Sequence, residues 1–257
     1  MAARTAPRVA VPNQHGAWAF LIVPLLLGFV VSGFFWLGCV FAITWILAYP
    51  ASYYLGRAVV IRWRRGSWTR LAKRELGNAW PWVVAAAVGV VLLVIARPWL
   101  VWVGAVLLVL WALSLLLTRT GHERGASNDL LLVAQASLAA PLMWAIRYDS
   151  PALGIGAPAA ADAWTAALIC LVFFTGSVLH VKSLIREADD RRWAIASRVY
   201  GVAALAMGLI SPWLLVPFGA ACVRAFAVPR GARPGIIGGV ETVVAVLVVV
   251  GAALAFG

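Results

Sequence analysis

A few short stretches hold most of the polar chemistry in a chain whose residues are 64% apolar and only 12% charged. The densest runs from His180 to Arg192 and contains Lys182, Ser183, Arg186, Glu187, Asp189 and Asp190. Mixed signs at this density suit either a self-neutralising loop or a grip on an anionic headgroup. On a helix, Ser183 and Glu187 follow His180 at i+3 and i+7, on about the same face. The histidine is then expected toward the interior.

The stretch from Arg119 to Asp129 adds His122, Glu123, Arg124 and Asn128. Glu123 and Asp129 are its only acids, and Mg²⁺ takes oxygen ligands from one or two carboxylates together with a substrate phosphate. Arg119 and Glu123 equally suit a plain i,i+4 ion pair worth about 0.3–0.5 kcal/mol. Asn13, Gln14 and His15 stand at the mouth of the first apolar run. Amide and imidazole donors beside free backbone N–H groups suit an anion there, or simply a helix cap.

Tyr53 and Arg57, four apart, share one helix face and are candidates for a pocket. They lead into Arg62, Arg64, Arg65, Arg70, Lys73 and Arg74, a basic run suited to fixing topology and touching anionic lipid, at about 1 kcal/mol per residue. Arg198 and Glu241 fall inside apolar runs. An ion pair between them would relieve the cost of burying either charge alone.

The elements that position these groups are membrane spans. Soluble domains are about 45–50% apolar and about 25% charged, so this composition excludes them. A hydrocarbon core of about 30 Å takes about 20 helical residues. Apolar runs bounded by charge or proline lie near 16–34, 36–58, 79–96, 99–118, 130–146, 163–183, 194–211, 213–228 and 236–256. Nine such spans leave no room for a separate soluble domain, and 1–257 reads as a single transmembrane domain. Of the 21 Lys and Arg residues, 19, Arg224 among them, fall at one set of alternate span ends, leaving Arg97 and Arg147 for the other. Basic residues accumulate in short cytoplasmic loops, which places the N-terminus in the cytoplasm. The net charge of +12 is therefore one of membrane orientation; nucleic-acid binding would need a basic face on a folded soluble module. Cys39, Cys170 and Cys222 each sit alone in an apolar run, so neither structural zinc nor a disulfide is expected.

The segment PNQHGAWAFLIVPLLLG, Pro12 through Gly28, resembles the opening of the YwiC-like family of bacterial membrane proteins. RTGHERGASNDLLLVAQASLAAP and HVKSLIRE resemble that family's later polar stretches, so the likeness spans most of the chain. More distantly, the plan is similar to that of the UbiA-type intramembrane prenyltransferases, nine helices with polar loops on the cytoplasmic side. In them two aspartate-rich motifs, after helices two and six, bind Mg²⁺ and an isoprenoid diphosphate. SLIREADDRR stands at the second place, but YPASYYLGRAVV at the first holds no carboxylate. That resemblance implies Glu123, Glu187 and Asp190 as Mg²⁺ ligands, with arginines on the phosphates. The missing motif weakens it, because a leaving diphosphate needs metal or fixed cations to meet its charge.

The expected architecture is an all-α, UbiA-like bundle of about nine transmembrane helices in the bacterial plasma membrane. A polar mouth facing the cytoplasm is expected to receive an isoprenoid, quinone or lipid-like molecule. Gln14, His15, Arg119, Glu123, His180 and Arg186 would surround its polar end. Membrane lipids are the expected partners. A prenyltransferase is the alternative, and a small-solute transporter, resting on Arg198 and Glu241, a third; no internal repeat of the common transporter kind is visible.

Overall fold

The computed structural model describes residues 10–12, 15–119 and 125–257, the side chains of residues 15–17 and 126 excepted. Asn13, Gln14, Glu123 and the side chain of His15 thus lie outside what can be placed. Among the described residues the chain is all helical, and each of the nine expected spans is a helix or a pair of joined helices. These are α1 (His15–Ser32), α2 (Trp36–Arg65), α3 (Arg70–Ala96), α4 (Leu100–Arg119), α5 (Ala126–Ser137), α6 (Ala139–Tyr148), α7 (Ala161–Val181), α8 (Arg191–Ala203), α9 (Leu215–Ala227) and α10 (Pro234–Phe256). Six segments are long and apolar enough to cross a membrane: α2, α3, α4, Ser127–Tyr148, Pro158–Arg186 and α10.

Span ends differ from expectation where charge was taken as the boundary. α2 continues to Arg65 and α3 begins at Arg70, so most of the basic run is helical. Arg, Lys, Leu and Ala are good helix formers, and Thr69 caps α3 by accepting the Ala72 N–H at 3.2 Å. The fifth span breaks at Leu138 into α5 and α6. Pro141 sits in the first turn of α6, where its lacking N–H costs nothing. The seventh span is short as an α-helix but continues as a 3₁₀ helix over Ala204–Leu209.

The described residues fall into two compact units. The first comprises those within Met1–Gln14 and Cys39–Glu123; the second, His15–Gly38 and Arg124–Gly257. In the first unit Gly89 on α3 leaves room for Thr44 of α2, whose hydroxyl would collide with any added Cβ. Gly56 similarly admits Leu115 of α4.

In the second unit α7 is the central helix, packed by α1, α5, α6, α8, α9 and α10. Apart from Ser177 and His180 near its C-terminal end, its buried positions are apolar, as suits a helix surrounded by others. Its Ile169, Cys170, Phe173 and Phe174 join Leu27, Val133, Phe218 and Val248 in one buried cluster. Phe20 of α1 stacks on Phe174 at 4.3 Å between ring centres. Helix ends within this unit meet as an alternating path requires. Arg147 at the end of α6 donates to Phe34 O beyond the end of α1 at 3.3 Å. At the opposite end, the start of α5 meets the end of α7.

Candidate functional site

Polar groups in the second unit gather around the C-terminal end of α7. His180 and Lys182 are each 2% exposed. Two positions apart on a helix, they point about 200° apart, and so face different neighbours.

The Lys182 side faces α5. Its Nζ lies 3.0 Å from Asp129 Oδ2, and Arg186 NH1 lies 3.6 Å from the same oxygen. Lys182 also stands 5.6 Å from the centre of the Trp193 ring, a cation–π distance. Asn128, next to Asp129, is buried. Two stretches more than 50 residues apart in sequence are thereby joined. Residues Lys182–Arg186 form a π turn, closed by Glu187 N–H to Lys182 O at 2.8 Å. Such turns recur at functional sites. The wider turn also corrects the expected i+7 alignment of Glu187 with His180. Ser183 instead donates to the His180 carbonyl at 2.7 Å.

The His180 side faces α9 and α10. Arg224 NH1 pairs with Glu241 Oε2, and Ser177 Oγ donates to that same oxygen. His180 Nε2 lies 4.0 Å from the other carboxylate oxygen. Arg224 is 4% exposed and its guanidinium stands 5.4 Å from the Phe173 ring centre. Three atoms of this cluster, His180 Nε2, Arg224 Nε and Glu241 Oε1, are buried and make no hydrogen bond among the described residues. His180 and Arg224 line a cavity of about 10 Å³, walled also by Phe173, Gly176, Ser197, Tyr200 and Gly201. That volume suits one oxygen-sized group.

The expected ion pair between Arg198 and Glu241 is not formed. Arg198 is exposed, donates from Nε to Ala225 O at 3.4 Å and stands 5.5 Å from the Phe226 ring centre. The buried stripe of α8 runs through Ser197 and Gly201 to Ala204 at the start of the 3₁₀ helix, and Arg198 is one position off it. The partner of Glu241 is Arg224, which the sequence reading counted only among the basic residues at span ends. The signal was present: Pro217, Phe218 and Ala221 are buried at i, i+1 and i+4, and Arg224 continues that stripe at i+7.

In the first unit Arg57 NH1 donates to Tyr53 Oη at 3.1 Å, as their spacing predicts, and its NH2 lies 3.1 Å from Glu75 Oε1. Arg119 lies over Trp63, 5.7 Å from the ring centre. With Glu123 outside the described residues, the Arg119 to Glu123 pair cannot be placed.

Of the carboxylates implied as Mg²⁺ ligands, Glu187 and Asp190 lie among the described residues and Glu123 does not. No three His, Cys, Asp or Glu side chains converge among the described residues. Asp190 caps α8, accepting the Arg192 N–H at 2.9 Å, and Asp129 is matched by two cations.

Against known proteins, the uncharacterised protein YwiC of Bacillus subtilis (strain 168) is 29% identical over 231 residues, covering 88% of this chain and 85% of that protein. No solved structure matches. The family model described as YwiC-like protein matches residues 11–144, through α1 to α6. With half of its length under that model and a relative aligned along most of the remainder, this multi-pass membrane chain belongs to the YwiC-like family.

Proposed function

We propose that the chain is a protein of the bacterial plasma membrane, its N-terminus in the cytoplasm, that binds an isoprenoid, quinone or other lipid-like molecule by its polar head. The head sits at the C-terminal end of α7. One observation carries this reading: Arg224 and His180, both almost wholly buried, each keep a nitrogen without a hydrogen-bond partner among the described residues, and both residues line one small cavity.

A buried polar group without a partner costs about 1–3 kcal/mol, and ionisable side chains within a span are by default functional. A carbonyl or hydroxyl oxygen accepting from Arg224 Nε–H and meeting His180 Nε2 would remove both penalties. Phe173, Phe218 and Tyr200 supply apolar walls beside that oxygen, which suits a molecule whose remainder is hydrocarbon. Lys182 and Arg186, at the end of the same helix, raise the local positive charge.

The test is mass spectrometry of lipids that co-purify with the chain. Wild type is expected to carry an isoprenoid or quinone species. Arg224→Lys keeps the charge but loses Nε, and Gly176→Leu fills the cavity against Tyr200, where even a Cβ lies 3.3 Å from the ring. Both should lose that species while keeping their helical content. The same lipids in all three proteins would refute the reading.

A further inference from the structure

The corner between α2 and α3 belongs to the first unit and has no part in that site. From Arg57 to Glu75 the chain holds seven basic residues and one acid. The acid, Glu75, is buried and engaged by Arg57, so it offers nothing to the surface. Arg64, Arg65, Arg70, Lys73 and Arg74 are all exposed. Trp63, Trp68 and Leu71 are exposed among them, at 39%, 48% and 50%. Gly66, at φ +68°, lets the chain reverse between the two helices. The last turn of α2 and the first of α3 thereby form a corner whose exposed side chains mix cations with large apolar groups.

Such a face matches a partner that is anionic at its surface and apolar just beneath. Free phosphate has no apolar layer, and a nucleic acid backbone presents its charge over a hydrophilic groove. A phospholipid layer has both: headgroup phosphates for arginine and lysine, and the interfacial depth at which tryptophan rings rest. We infer that the α2–α3 corner is a binding surface for anionic phospholipid, independent of the ligand proposed for the second unit.

The experiment is native mass spectrometry of the purified full-length chain with phosphatidylglycerol or phosphatidylcholine of matched acyl length. Phosphatidylglycerol should be retained preferentially. A cation near an anionic surface contributes about 1 kcal/mol, or about fivefold. The variant R64Q/R65Q/R70Q/K73Q should therefore lose at least about tenfold of that retention. A variant with the same charge change in the second unit, R191Q/R192Q/R230Q/R233Q, should stay within about twofold of wild type. Equal losses in the two variants would overturn the inference, as would displacement of the lipid by inorganic phosphate or by a single-stranded oligonucleotide. Should the corner variant not fold, wild type decides alone. Its preference must weaken as salt rises from about 0.05 to about 0.5 M, and a salt-independent preference would reject the surface.

Discussion

The two units handle charge in opposite ways. Along α2, α3 and α4, 33%, 17% and 6% of the most apolar window is buried, and the described cations of the first unit are exposed or half-buried. Across Ser127–Tyr148 and Pro158–Arg186 of the second unit the figures are 61% and 56%, and Lys182, His180 and Arg224 are carried into the interior. Exposed cations keep their hydration, so their placement is set by the surface they face. Buried ones lose it, and must be matched by specific partners or by a ligand. Exposed charge is thus evidence of orientation, whereas charge buried inside a packed unit is evidence of a site.

The strongest challenge to that contrast is Glu241→Gln. It removes the countercharge of an arginine that is 4% exposed, and breaking a buried pair from one side costs about 3–5 kcal/mol. A large fall in the denaturant midpoint of purified protein is expected. The double variant Glu241→Gln/Arg224→Met should regain much of it, because no buried charge then stands alone. If Glu241→Gln unfolds like wild type, the interior of the second unit is not dry and the contrast fails.

Next in size is Asp129→Asn, which leaves Lys182 buried without its carboxylate. Hydrogen bonds to charged groups contribute about 1.5–3 kcal/mol, and a loss near the middle of that range is expected because Asp129 is itself 22% exposed. Proteolysis of folded protein should show increased cutting between Arg186 and Arg191, where the π turn would lose its anchor. Unchanged protease resistance would place Lys182 in water.

A packing test belongs to the first unit. Gly89→Ala pushes a methyl group into the Thr44 hydroxyl, which donates to Val40 O at 2.7 Å. Overpacking of this kind costs about 1–3 kcal/mol. Thr44→Ala in the same chain should restore the melting temperature. Failure of that rescue would mean that α2 and α3 do not pack through this pair.

How far the sequence discloses this arrangement depends on the physics of each feature. All nine apolar runs are legible as helices because transfer of an apolar run into hydrocarbon overrides local detail. Their ends are not, since the helix of α2 runs on through Arg62, Arg64 and Arg65, where hydropathy stops but helix propensity does not. Tyr53 with Arg57 is legible because the contact lies within one helix. Asp129 with Lys182 and Arg186 is legible only as two polar stretches, since nothing local says which helices are neighbours. Glu241 is recognisable as a charge needing a partner, but choosing that partner requires the buried face of each helix. Arg224 lies on such a stripe and Arg198 does not.

The smallest effect separates those two arginines. Arg198→Ala removes a long, exposed hydrogen bond to Ala225 O and a contact with Phe226. An exposed cation–π pair contributes about 0.5–1 kcal/mol, and the bond at 3.4 Å adds little to it. The denaturant midpoint should move by no more than that, far less than for Glu241→Gln. The combination Arg198→Ala/Glu241→Gln should show additive losses, because the two side chains share no partner. A coupling above about 0.5 kcal/mol would instead bring Arg198 into the Glu241 cluster, placing that arginine inside the unit rather than on its surface.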